Sequence, residues 1–209
     1  GVAAGVIVDD VHEHDGPEFV RFVPPARGEY DVEIRSEPLA GVTEGRYRLD
    51  VLPPRPATEA DRATGRRRAE AEAALAAIEK AIGNGQVPSP EARIFYDRLE
   101  AVVAAFTAER MHRRRAAAMR LQSVMLVRQL RFDLVRTFNE RRLPWLIGAR
   151  YRADRAYALN HLAEGLVRTG EMARGIEAFR EASTLPQSPL NTAIVKDNLG
   201  AALRRVGRY

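Results

Sequence analysis

Along this 209-residue chain the spacing of hydrophobic positions changes period once, near residue 55. Residues 28–36 (GEYDVEIRS) alternate, with Tyr30, Val32 and Ile34 on one side and Glu29, Asp31, Glu33 and Arg35 on the other. A period of two marks a strand with one wetted face. Residues 45–52 (GRYRLDVL) repeat the pattern through Tyr47, Leu49 and Val51, residues 18–23 (EFVRFV) give a third strand, and Val6–Val8 a fourth. Asp15-Gly16-Pro17, Pro24-Pro25 and Arg27-Gly28 supply the turns between them. Four short strands leave an apolar face that nothing within the region covers, and such a sheet is rarely stable alone. Residues 1–52 are therefore expected to form a small antiparallel β module, part of a β-sandwich.

Pro53–Ala57 (PPRPA) ends the last strand and reads as a short stiff linker. Beyond it the period becomes helical. Thr58 is placed to cap a helix, with Glu59 and Asp61 in its first turn and Ala71, Leu75, Ile78 and Ile82 on one face. Gly83-Asn84-Gly85 stops it, and Ser89-Pro90-Glu91 starts the next, whose stripe is Phe95, Leu99, Val102, Val103 and Phe106. A third helical stretch is expected over roughly 109–142, before Pro144.

From about Ala153 the sequence repeats itself at an offset of 37 residues. Ala156 falls on Ala193, Leu162 on Leu199, Ala163 on Gly200, Leu166 on Leu203, Arg168 on Arg205 and Gly170 on Gly207. Paired leucines on one face, a small residue that admits a neighbouring helix and a glycine that ends the helix describe a helical hairpin. In the first copy Ile176, Phe179 and Ala182 form the returning face, closed by Leu185-Pro186. A weaker match at offset 41 pairs Leu121, Val135 and Phe138 with Leu162, Ile176 and Phe179, so residues 116–142 are a candidate degenerate copy.

Leu162-Ala163, Leu166, Gly170, Ile176, Phe179 and Ala182 resemble the signature of a tetratricopeptide repeat, clearest over 153–187 and begun again over 190–209. Gly175 stands where that family usually has Ala, a departure expected to loosen the second helix. More broadly, Gly16-Pro17-Glu18, Gly28-Glu29-Tyr30 and Gly45-Arg46-Tyr47, then Arg55–Thr58 with Asp61-Arg62, followed by repeats, resemble a class of bacterial proteins built in three parts. Those carry a prepeptidase C-terminal-type β-sandwich, tetratricopeptide repeats and a caspase-like (CHAT) peptidase domain. The resemblance implies that the chain is a window on a longer bacterial protein, with any peptidase beyond Tyr209 and no catalytic residue carried over. The fold class expected overall is mainly α, a tetratricopeptide-like hairpin array over 58–209 preceded by the β module.

Composition adds an uneven charge. The chain holds 33 basic residues, all but two of them Arg, against 28 acidic ones. Residues 1–57 carry 6 Arg and 11 acids, net −5, whereas 58–209 carry 27 basic and 17 acidic residues, net +10. The arginine and alanine bias fits a GC-rich bacterial genome and slightly favours the cytoplasm. With no Cys, disulfides, thiolate metal sites and a Cys nucleophile within the chain are excluded. No apolar run approaches the ~18–20 residues of a membrane span.

Candidate chemistry is sparse. The run Asp9–Asp15 (DDVHEHD) holds His12 and His14 among acids, but ligation of a metal needs convergence that a linear run does not show, and a solvated hairpin tip is the favoured reading. No nucleotide-binding loop motif occurs, and no cofactor or catalytic site is expected. His161, on a repeat helix, is read as lining a groove or meeting solvent rather than activating Ser183 or Ser188. Residues 110–155 hold 13 Arg against Asp133, Glu140 and Asp154, and Arg113, Arg120, Arg131 and Arg142 would align on one continuous helix as a phosphate-tracking stripe. Val124, Val127, Val135 and Phe138 would share that direction, so either the helix breaks near 129–131 or the arginines surround a core. The function expected is a non-catalytic scaffold whose helical groove binds a protein or peptide, with Asn160, Lys196 and Asn198 as groove residues. Nucleic-acid or acidic-polymer binding through 110–155 is the alternative.

Overall fold

The computed structural model describes residues 56–83, 89–148 and 151–207. The strands expected over 1–52, and the His12/His14 run with them, lie outside the described residues. What is described is mainly α: α1 (Glu59–Gly83), α2 (Ser89–Ala108), α3 (His112–Arg128), α4 (Phe132–Arg142), α5 (Arg152–Arg168), α6 (Met172–Thr184) and α7 (Pro189–Arg205), with a 3-10 turn at Leu143–Trp145.

The start of α1 is a reciprocal cap. The Asp61 amide donates to the Thr58 hydroxyl at 3.2 Å, and the Thr58 amide donates to the Asp61 carboxylate at 2.9 Å. Ser188 caps α7 by accepting the Asn191 amide at 3.3 Å, with Pro189 in the first turn. The helical stripes expected from sequence are the buried faces: Ala71, Leu75 and Ile78 of α1 and Leu99, Val102 and Phe106 of α2 join Met111, Ala118 and Met125 in one apolar core. A second core gathers Leu159, Leu162, Ala163 and Leu166 of α5 with Ile176, Phe179 and Ala182 of α6 and Val195 and Ala202 of α7.

Each helix packs on the next, and α3, α5 and α7 also pack on one another in order. That is an array of helical hairpins whose first helices stack: α3–α4, then α5–α6, then α7. The helical stretch expected over roughly 109–142 is broken from α2 at 109–111 and broken again at 129–131, the second being one of the two outcomes the sequence left open. One tight turn recurs at both breaks and again within the clear repeat. At 129–131 the amides of Gln129, Leu130 and Arg131 donate to the carbonyls of Met125, Val127 and Leu126; at 169–171 those of Thr169, Gly170 and Glu171 donate to Gly165, Val167 and Leu166. Glu109, Arg110 and Met111 form the same turn on Ala105, Thr107 and Phe106. The middle residue is left-handed in each, with φ of 55° at Arg110, 58° at Leu130 and 95° at Gly170.

These turns set the internal register at 40 rather than 41. Leu126 then falls on Leu166, but Gln122, Ser123, Asn139 and Arg142 fall on Leu162, Ala163, Phe179 and Ala182, and all four are buried. Leu121 and Phe138, which the offset of 41 places in the core, are only half-buried. The degenerate hairpin is real as geometry, and its core carries polar residues where the clear repeat carries apolar ones.

Leu130 takes its left-handed conformation with the side chain 71% exposed, so it accepts backbone strain without packing in return. Leu130→Gly is expected to stabilise the protein by about 0.5–1 kcal/mol in urea unfolding. A lower midpoint would show that the exposed leucine contributes something the turn does not require.

Gly175 also differs from expectation. A Cβ there would lie 2.6 Å from Val167 Cγ2 and 3.0 Å from the Ala163 carbonyl oxygen. The missing side chain lets α6 approach α5 closely, so this glycine tightens the hairpin.

Candidate binding surface

Around α5 the neighbours occupy successive directions. Ala163 meets α6 at Gly175, Asn160 accepts a hydrogen bond from the Asn198 amide of α7 at 3.2 Å, His161 meets Ser123 of α3, and Gly165 abuts the Arg136 backbone of α4. At about 100° per residue these contacts leave one open direction, pointed to by Tyr157, Glu164 and Arg168. The stripe is flanked by α3 and α7, as the inner wall of a stacked-hairpin array should be.

Its side chains are held from both sides. The Arg120 guanidinium of α3 lies 5.1 Å over the Tyr157 ring, and Arg168 lies 5.1 Å over Phe132 at the start of α4. Burial raises the Glu164 carboxyl above its ordinary range, and Arg168 one turn away opposes the shift. The stripe thus offers an aromatic ring, a carboxyl and two guanidinium groups in alternation.

Of the residues expected to line the groove, the structure brings Asn160 and Asn198 together and leaves Lys196 apart. Asn160 is buried, and its side-chain oxygen is bonded to Asn198, so this pair joins α5 to α7. Lys196 is exposed, but two residues along a helix is a rotation of about 200°, which places it on the side of α7 away from Asn198. Tyr157, Glu164 and Arg168 were missed, although their spacing of seven and four along α5 was legible.

His161 is turned inward. Its Nδ1 lies 2.8 Å from Ser123 Oγ, which accepts the Asn139 side-chain amide at 2.8 Å; that amide also donates to the Val135 carbonyl at 2.8 Å. Ser123 Oγ and His161 Nδ1 thus share a hydrogen bond whose direction follows the imidazole tautomer. Desolvation, with the Arg142 charge adding to it, lowers the His161 pKa to about 4. Serine, histidine and amide in a row invite a nucleophile reading, but Ser123 has 0% exposure, so no substrate reaches its Oγ in this arrangement.

The arginine-rich stretch resolves into joints between helices. Among the described residues, at least seven arginines of the stretch have structural partners: Arg114 with Glu72, Arg131 with Asp133, Arg136 with Glu140 and Glu171, Arg142 with Asp154, Arg155 with Glu181, Arg115 on the Trp145 ring and Arg120 on Tyr157. Glu72, Glu171 and Glu181 come from helices outside the stretch.

No protein-family model matches the chain, and neither does any curated protein or solved structure. Among the described residues, no helix is long and apolar enough to cross a membrane.

Proposed function

We propose that this chain is a protein-interaction unit of the tetratricopeptide kind, which binds an extended peptide segment of a partner along the trough formed by α3, α5 and α7. The observation that carries it is the stripe of Tyr157, Glu164 and Arg168, a direction around α5 that no helix among the described residues fills. An aromatic ring beside alternating charges suits a peptide, since the ring takes an apolar side chain and the charges fix register. No catalytic role is assigned to it. On the resemblance drawn from sequence, the unit serves a larger bacterial protein and regulates a caspase-like peptidase domain.

Nucleic-acid binding through 110–155 is the weaker reading, because many of its arginines are engaged by carboxylates and rings, and a phosphate would have to displace them.

Selection from a random peptide library, followed by titration of the enriched peptide, tests the proposal. Tyr157→Ala and Arg168→Glu are each expected to weaken binding about tenfold or more while circular dichroism stays unchanged. Equal affinity in wild type and both variants would remove the trough as the site. Failure to enrich any peptide, together with steeply salt-dependent binding of single-stranded DNA, would favour the alternative.

A further inference from the structure

A second feature lies at the base of the first stacked hairpin, where the start of α3, the end of α4 and the loop before α5 meet. A cleft of about 230 Å³, open to solvent, is lined there by His112, Arg115, Arg142, Trp145, Leu146 and Tyr151 among others. Its interior is small, about 10 Å³, room for one water-sized group at a time. No carboxylate is among the described residues that line it.

Arg142 has an incomplete set of partners. It is 1% exposed, yet only Nη2 is engaged, donating to the Ala116 carbonyl at 3.0 Å and lying 3.7 Å from Asp154 Oδ1. Its Nε and Nη1 are buried without a hydrogen-bond partner. A buried guanidinium with two unpartnered nitrogens is costly unless something completes it. Arg115, on the same lining, stacks its guanidinium 4.4 Å from the centroid of the Trp145 ring. Burial lowers the pKa of both arginines, that of Arg142 to about 10 against the opposing pull of the Asp154 charge.

We propose that this cleft binds a carboxylate carried on an apolar group, the anion completing Arg142 and Arg115 and the apolar part lying on the exposed Trp145 and Ile147. Three observations select that chemistry. Two cationic side chains with no lining acid call for an anion. An interior with room for a single oxygen-sized group suits one oxygen of a flat carboxylate better than a tetrahedral phosphate. The lining includes Trp145, 53% exposed, and buried Leu146, and the next residue along the chain, Ile147, is 61% exposed. A short-chain carboxylic acid and the C-terminus of a peptide share this chemistry. The site is separate from the trough and does not depend on its occupancy.

Trp145 is the only tryptophan in the chain, so its emission reports on the cleft directly. The full chain, in a buffer poor in small anions, is titrated with acetate, hexanoate and inorganic phosphate. It is also titrated with a short apolar peptide bearing either a free or an amidated C-terminus. Saturable change with hexanoate, at least tenfold tighter than with acetate and tighter than with phosphate, is the result expected. Arg115→Gln, at a half-buried position, is expected to weaken hexanoate at least tenfold with the melting temperature retained. The Arg142 Nε resonance should shift on hexanoate addition in the unaltered protein, a readout that needs no variant. Saturation by the free but not the amidated peptide supports the proposal and names a chain terminus as the source; response to hexanoate alone supports it with a free acid as the source. Emission indifferent to carboxylates, phosphate binding as tightly as hexanoate, or an Arg115→Gln titration matching wild type would each overturn it.

Discussion

Between pH 7 and pH 4 the folded chain is expected to lose up to about 3 kcal/mol of stability through His161 alone. In the native state this imidazole is neutral, with its pKa near 4, whereas in the unfolded chain it titrates near the ordinary value of 6.5. Within that window the unfolded state binds the extra proton, so stability falls as pH drops from 6.5 toward 4 and is fully present above 6.5. Glu164 acts in the opposite sense, because its raised carboxyl takes up a proton in the folded state first. The decisive comparison is therefore urea unfolding of wild type and His161→Gln at several pH values. The variant should lose stability more slowly across 6.5 to 4, and parallel pH profiles would refute the assignment.

Enlarging Gly165 should be the most disruptive single change on α5. An added Cβ would sit 2.9 Å from the Arg136 amide nitrogen and 3.1 Å from its Cα, a backbone that cannot turn aside as a side chain can. In an ordinary helix Gly→Ala gains about 1 kcal/mol from propensity. Here overpacking against α4 should exceed that gain, so Gly165→Ala is expected to be destabilising on balance by about 1 kcal/mol, and Gly165→Leu by about 3 kcal/mol or more. Gly65, with nothing within 4 Å of an added Cβ, is the control: Gly65→Ala should stabilise by about 1 kcal/mol. If Gly165→Ala proved as stabilising as Gly65→Ala, α4 and α5 would not approach as closely as the structure has them.

Sequence patterning located most of the helical architecture. The Thr58 cap, the faces through Leu75 and Leu99, and the hairpin from Leu162 to Ala182 all follow from apolar spacing and turn residues, because there local propensity and burial agree. The pattern became illegible over 109–142 for two physical reasons. The turns place Arg110 and Leu130 at the left-handed position where Gly170 would announce a break. Inside the hairpin, Gln122, Ser123, Asn139 and Arg142 occupy positions whose counterparts are apolar, so matching apolar residues forced the alignment one position out of register. Buried polar residues at core positions are invisible to a hydrophobic period.

The candidate surface was legible only in outline. Asn160 and Asn198 were found from their place on first helices, but their mutual bond could not be, since it depends on how α7 sits against α5. The arginine excess looked like a surface property in the sequence, and its partners Glu72, Glu171 and Glu181 lie 42, 35 and 26 residues away along the chain.

The same polar hairpin core stands between two oily ones. On one side α1 to α3 share an apolar core, on the other α5 to α7 share a second, and between them lie Ser123, Asn139, His161 and Arg142. Greasy surfaces can slide over one another with little change in energy, whereas hydrogen bonds fix both distance and direction. The placement of the second core against the first is therefore fixed at this seam by a few donors and acceptors, in distance and in direction.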